Sequence, residues 1–484
     1  MKKIFAILSV FLIFSSCGKL EDLNVNTKDP GAVSGESLFT NAQKELFDQM
    51  VTPNVNLNIY RLIMQQWTEV TYIDESNYDL DTRSIPDNQW DIIYRDVIKD
   101  LDESKKVITT TTYLPSESPL VKQNKLAIVD IMSVYAYSIL VETFGDIPYS
   151  EALNSGILLP KYDDGLTVYK DLIARLNTDL GILDASQGSF GQADNMYQGT
   201  VANWIKFANS LKLKMGMVLS DVDDAFAKTT VESAAPGVFA SNDDNAELIY
   251  LSASPNTNPV NVELVASFRN DFIPTSTIVD YMNTLEDPRR PLYFTQTDTS
   301  TVSGEVKLAY YGGVNGLGNE YAAFSHVSDA MKVTTFPGMI FDYAEVEFLL
   351  ANAYEKGYSV GGTAEEHYNK GVTASILYWG GSDADAATYL SNPGVAYATA
   401  TGTYQEKIGM QMWLALYNNG FHAWTEWRRL DFPQLEAPED AVSVTPVRYT
   451  FPTSEQTLNK ANYDAASSHI GGDDVGTHLF WDLF

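Results

Sequence analysis

Apolar residues recur at helical spacing along most of this chain. Tyr60, Ile63, Met64 and Trp67 fall on one face. Ile93, Tyr94, Val97, Ile98 and Leu101 form a second stripe, which Asn88 is placed to cap. Residues 121–143 are apolar almost all round, with Leu126, Val129, Met132, Tyr135 and Ile139 on every side. That pattern predicts a helix buried among others, stopped by Gly145 and Pro148. No segment after the first 16 residues reads as apolar for long enough to cross a membrane. Further helices are expected over 166–183, 202–220, 277–285, 340–356, 365–379, 405–418 and 422–429.

The segments 342–355 and 364–379 read as a helical hairpin of tetratricopeptide type. Ala344, Phe348, Ala351 and Ala353 mix small and large side chains, as close helix packing requires. The 34-residue consensus of that repeat is not legible. Long irregular stretches separate the helices, over 221–275, 295–335, 380–403 and 431–484, with a strand-like run at 247–251. Loops of such length are uncommon unless they serve a function.

Charge and cysteine usage narrow the picture. Asp and Glu number 63 against 32 Lys and Arg, a formal net charge of −31. Such acidity argues against nucleic acid, which is bound by Lys and Arg, and against adhesion to anionic lipid. The single cysteine, Cys17, follows a basic start at Lys2 and Lys3, the apolar run 4–14, and Ser15 and Ser16. The run is too short to span a bilayer and reads as an export signal. A cysteine directly after small residues resembles the bacterial lipobox, so residues 1–16 are expected to be removed and Cys17 to carry the lipid. Cleavage there would take the net charge to −33, because Lys2 and Lys3 are lost. Residues 17–36, with Gly18, Pro30, Gly31 and Gly35, read as a tether to a domain over 37–484. No second cysteine exists for a disulfide, so the fold must rest on its core.

Several stretches together resemble the SusD/RagB family of outer-membrane nutrient-binding lipoproteins of Bacteroidota. They are Leu23-Asn24-Val25-Asn26 with Asp29-Pro30, the run from Thr71 to Tyr78, and the run from Phe144 to Ala152 (FGDIPYSEA). Lys212-Leu213-Lys214-Met215, Asp287-Pro288-Arg289, Glu426-Trp427-Arg428-Arg429 and Arg448-Tyr449-Thr450-Phe451-Pro452, followed by Glu455 and Asn459, complete the set. Read physically, most are helix stops and turns, and Arg428 and Arg429 lie at a helix end where cations oppose the dipole. The resemblance implies a mostly α fold: a tetratricopeptide-like scaffold of four helical hairpins, long loop-rich ligand-binding insertions near 221–335 and 380–403, and a few short strands. It also implies a protein lipid-anchored to the outer membrane, facing outward, that acts as a lid on a TonB-dependent, SusC-like transporter.

No catalytic constellation is visible. His326, His367, His422, His469 and His478 are scattered without metal-ligand spacing, and no metal or cofactor is expected. Asp383-Ala384-Asp385 opens like a calcium loop, but Thr388 and Gly394 occupy its sixth and twelfth positions. The acid pairs Asp163-Asp164 and Asp473-Asp474 read as solvated faces rather than glycosidase carboxylates. The chain is therefore read as a binding protein and not an enzyme, its ligand an oligosaccharide or, alternatively, a peptide. A lipid-anchored glycoside hydrolase and a purely structural surface protein are the readings of other classes. Loop residues Tyr72, Asn77, Tyr78, Tyr311, Asn315 and Tyr321 are the candidate ligand contacts, and Gly312, Gly313, Gly316 and Gly318 are expected to allow close approach. Trp67 stands on a helical stripe near the helix end and joins them as a candidate. The loop carrying Tyr389 and Tyr397 is a further one.

Overall fold

Four helix pairs carry the structure. The computed structural model describes residues 33–112, 118–298 and 308–483. Cys17, the leader and nearly all of the tether therefore lie outside the described residues. Helix α1 (Gly35–Val51) starts where Ser34 accepts the amide of Ser37, and it packs against α2 (Lys99–Thr110). Helix α3 (Pro119–Phe144) lies on α4 (Gly165–Ile182), and α5 (Val201–Val218) on α6 (Asp224–Ala234). The last pair is α7 (Tyr343–Glu355) with α8 (Ala364–Tyr378), joined at its flank by α9 (Tyr404–Ala415) and α10 (Gly420–Leu430). Between the helices, three antiparallel ribbons of two strands hold the loops. β1 (Trp67–Glu69) pairs with β3 (Phe272–Pro274), and β2 (Ala246–Leu248) with β6 (Gly338–Phe341). β4 (Thr297–Asp298) pairs with β5 (Leu308–Ala309).

The apolar stripes become the core. From Asn124 onward α3 is buried on almost every side. By length and hydropathy it could cross a bilayer, contrary to the expectation that no such segment exists, but here protein rather than lipid covers it. Gly371 of α8 shows how tightly the pairs close, since a Cβ there would lie 3.0 Å from the Phe348 ring of α7.

Several elements differ from the periodicity reading, each for a tertiary reason. Only Tyr60–Ile63 of the first stripe is helical, because Trp67 pairs across a ribbon with Pro274. Asn88 lies inside a helix that begins at Ile85, so it is no cap. The helix expected from 340 begins at Tyr343, capped by Asp342, because residues 338–341 pair with β2. The irregular stretches hold helices of their own: α6, then Asp383–Leu390, Thr453–Leu458 and Lys460–His469.

Polar side chains are buried with partners at the centre of the scaffold. Glu142 of α3 receives Lys214 of α5 at 2.7 Å, the Tyr169 hydroxyl of α4 at 2.7 Å and the Thr425 hydroxyl of α10 at 3.1 Å. These contacts hold its carboxyl below the usual range despite complete burial. Beside it, Glu345 of α7 is driven well above its ordinary pKa by burial and by Glu426, while burial pushes His422 well below its own. The Glu345 carboxyl and His422 Nδ1 share a hydrogen bond of 2.6 Å, and His422 Nε2 meets the Tyr135 hydroxyl at 3.0 Å.

Candidate functional site

The loop after β1 carries the first group of expected contacts, and most of them point inward. Trp67 is fully buried and donates its indole N–H to the Tyr417 hydroxyl at 2.7 Å, so it is a core residue. Tyr78 is buried beside Gln65, in the left-handed conformation that ends a short helical turn. Asn77 is buried too, and its Nδ2 donates to the carbonyls of Ile73 and Gly316 at 2.9 and 2.8 Å. Tyr72 alone of this group presents its ring to solvent, 59% exposed, with the Arg269 guanidinium 5.6 Å from the ring centre. Of the loop tyrosines expected as contacts, Tyr72, Tyr78, Tyr311 and Tyr321, Tyr78 is thus turned into the core.

The second loop, 310–326, closes against the first. Asn319 donates its amide to the Val70 carbonyl at 2.9 Å, which places the loop two residues from Tyr72. Gly316 serves that closure, while Gly312 and Gly313 fit against Thr275 and Ile273. Gly316 has φ +71°, and a Cβ there would meet Asn77 Oδ1 at 2.6 Å and Pro438 at 2.5 Å. Tyr311 stacks on Phe324, and Tyr321 on His326 with ring centres 3.9 Å apart. Both tyrosines are half-buried, so each keeps part of its ring outward. Asn315 holds both amide atoms shielded from water with no hydrogen bond in the protein. Tyr389 is buried in the helix Asp383–Leu390, and Tyr397 is tied to Glu355.

Two concavities border these loops. One is a cleft of about 130 Å³ beside Tyr72, lined also by Glu69, Arg83, Arg269 and Asp271. Its charges are already committed. Arg269 is paired with Asp271 and Arg83 with Glu75, while burial and the Glu75 carboxylate push Glu69 up to about 8. The other is a cavity of about 690 Å³, within the 300–1,000 Å³ typical of small-molecule sites, where the cleft falls below it. Trp379, which ends α8, walls this cavity with Phe336, Phe294 and Tyr310, the residue that opens the 310–326 loop. Trp379 is held by Tyr293, 4.6 Å away between ring centres, and by Phe336 at 6.0 Å. Polar groups interrupt the aromatic wall: Glu247, Thr295, Gln296, Ser328, Asp329 and the Tyr378 hydroxyl.

Sequence reasoning missed this cavity. Trp379 sits on a helix and reads as core, and nothing local shows that its helix ends there with the ring only half-buried. The Tyr310–Tyr311 pair among glycines was the available signal, and it pointed at the neighbour.

Other expected features turn out to be structural. Arg428 lies between the rings of Trp424 and Trp481, 3.5 and 4.5 Å from their centres, and donates to the Glu142 and Val447 carbonyls. Arg289 and Asp287 form a fully buried pair at 2.6 Å. Asp473 is no solvated face, since it holds buried Arg448 at 2.6 Å. Asp163 accepts the Ser150 amide at 2.7 Å, and Asp164 caps α4. Among the described residues, Asp146, Asp164 and His469 bring ligand atoms within 4.8 Å of one another, a proximity the linear spacing of the histidines hides. His469 Nδ1 is already bonded to Asp146 at 2.6 Å, which accounts for the cluster without an ion.

The family model described as "Starch-binding associating with outer membrane", a SusD-like family, matches residues 27–452. Among solved structures, a chitin-binding protein is 27% identical, with a TM-score of 0.81 over 93% of this chain and 100% of its own. A chitin-binding SusD homolog from Flavobacterium johnsoniae is 25% identical, with a TM-score of 0.75 over 92% of this chain and 98% of its own. A SusD homolog from Bacteroides thetaiotaomicron, at 23% identity and a TM-score of 0.74 over 93% and 99%, shares the fold. No curated protein matches the sequence.

Proposed function

This chain belongs to the SusD-like family, and from that premise we propose that it binds oligosaccharide at the outer membrane and delivers it to a TonB-dependent transporter. The observation that carries the binding reading is the cavity walled by Trp379, Phe336 and Tyr310. Sugar rings offer apolar C–H faces for aromatic rings and a rim of hydroxyls for polar ones, and the cavity supplies both. Two of the structural relatives are named as chitin-binding, which supports the ligand class. Tyr72, Tyr311 and Tyr321 would extend the contact along the loop rim, while Trp67, Asn77 and Tyr78 hold those loops from beneath. The work is affinity and release, not turnover.

Ala330 lines the cavity with an exposed small side chain, so Ala330→Trp fills the space without touching the core. Calorimetry with chitohexaose and maltohexaose should show affinity for at least one, weakened about tenfold or more in this variant, a loss of 1.4 kcal/mol or more. Unchanged affinity at an unchanged melting temperature would remove the cavity from the site. Absence of binding to any glycan would remove the carbohydrate reading itself.

The anchor and the transporter complete the proposal. Cys17→Ala should release the protein from the membrane fraction, and retention to the same extent would sink the lipid anchor. Pull-down from gently solubilised membranes at low salt should recover a TonB-dependent barrel, because an acidic docking surface associates electrostatically. Recovery of the anchored chain alone would count against that partner.

A further inference from the structure

We propose, resting on the carbohydrate reading above, that the cavity selects uncharged over anionic sugar rings, and that Glu247, Tyr378 and Ser328 are the groups that read the ring's hydroxyls. Two observations carry this. The first is a pair of shielded hydroxyls, one of them without a partner. Ser328 is 5% exposed, and its Oγ makes no hydrogen bond in the protein. The Tyr378 hydroxyl is likewise shielded and engages the Glu247 carboxyl, which it orients. Both residues line the cavity. Buried hydroxyls are nearly always satisfied, and a group left unsatisfied costs about 1–3 kcal/mol. A ligand hydroxyl entering the cavity would satisfy Ser328, and Glu247, oriented by Tyr378, adds a carboxyl that accepts.

The second observation is the distribution of charge. Among the described residues lining the cavity there is no Lys or Arg, but two carboxyl groups, Glu247 in the wall and Asp329 at the mouth. The adjacent cations are engaged. Arg290 lies over the Tyr310 ring and donates to the Asp287 carbonyl and Asn283, while Lys332 pairs with Asp329 at 2.9 Å. His326, whose backbone is paired with Thr295, is kept neutral by burial. Among the described residues, an incoming carboxylate or sulfate would thus meet the Glu247 carboxyl with no cation left free to offset it.

The test follows Trp379 directly. Protein labelled with 5-fluorotryptophan is titrated with maltotriose, chitotriose and trigalacturonate at mildly alkaline pH, where Glu247 is ionised, and the Trp379 fluorine signal is assigned from its loss in Trp379→Phe. A neutral trisaccharide should shift that signal, and trigalacturonate should need at least about tenfold more for the same shift. Glu247→Gln should narrow the gap. Ser328→Ala should weaken the neutral sugar severalfold while leaving the melting temperature equal or higher, because it deletes an unsatisfied hydroxyl; a structural serine would do the opposite. Trigalacturonate acting as well as the neutral sugars would overturn the charge selection. A silent Trp379 signal, alongside hexasaccharide binding seen by calorimetry, would overturn the cavity inference while the carbohydrate reading stands. No binding of any glycan would overturn both.

Discussion

Trp67 and Tyr72 stand five residues apart and make opposite predictions. Trp67 has no exposed surface, and its N–H is spent on Tyr417. Truncating a buried tryptophan removes transfer energy and leaves a cavity, so Trp67→Ala should lower unfolding free energy by about 3–5 kcal/mol. Tyr72 lies outside the core with only Arg269 over its ring, so Tyr72→Ala should leave stability within about 0.5 kcal/mol. Urea denaturation of the two variants checks the pair. A large stability loss in Tyr72→Ala would show that the ring packs the cleft, and its place on the rim would be withdrawn.

At the scale of elements, the helix pairs meet through buried charge as well as apolar faces. Lys214 of α5 reaches Glu142 of α3 with side-chain exposures of 1% and 0%. Replacing both with apolar groups would be tolerable, but removing one strands the other in a medium that solvates it poorly. Lys214→Met should therefore cost about 3–5 kcal/mol, and adding Glu142→Gln should recover part of that loss, which a double-mutant cycle in denaturant measures. If the single variant is as stable as the parent, the pair is not what joins α3 to α5. The same logic explains why the Lys212–Met215 and Glu426–Arg429 stretches stand out in the sequence. Their Lys and Arg side chains are placed inside, where each needs a specific partner.

Over the whole molecule, the raised carboxyls set the response to pH. Burial lifts Asp342 and Glu247 to about 7, and burial with neighbouring acids lifts Glu69 and Asp179 to about 8. A carboxyl whose folded pKa exceeds its unfolded value stabilises the fold below the unfolded pKa and loses that contribution as pH rises through the folded one. His367 and His469, both raised by carboxylate partners, act in the same direction. His422, depressed by burial, acts against them only as pH rises toward its unfolded pKa, above which it is neutral in both states. The depressed carboxyls Glu142 and Asp163 matter only below the ordinary carboxylate range. Thermal unfolding should therefore occur at a lower temperature near pH 8 than near pH 5, and the net charge of −31 adds repulsion in the same sense. A melting temperature that climbs steadily across that interval would contradict the protonated state assigned to these groups.

Sequence alone determined the helical character of the chain, because amphipathic spacing is a local property that tertiary contacts exploit rather than create. The stripe of α3, the stop at Gly145 and the α7–α8 hairpin were all legible, and the scattered motifs, none decisive singly, pointed together to the family. Tertiary structure decided what spacing cannot express. Trp67 obeys the helical pattern and is nonetheless a strand residue, because Pro274, more than 200 positions away, supplies its partner. Residues 338–341 likewise leave a helix for β2. Loop glycines look the same in sequence whether they admit a ligand or another loop, and only the contact between Gly316 and Asn77 shows which. The cavity is the extreme case. Its walls come from β2, the 291–296 turn, the start of the 310–326 loop, the 328–337 turn and the end of α8, so no window of sequence contains it. Side-chain exposure is set by what the rest of the chain leaves uncovered, and that quantity exists only once the chain has folded.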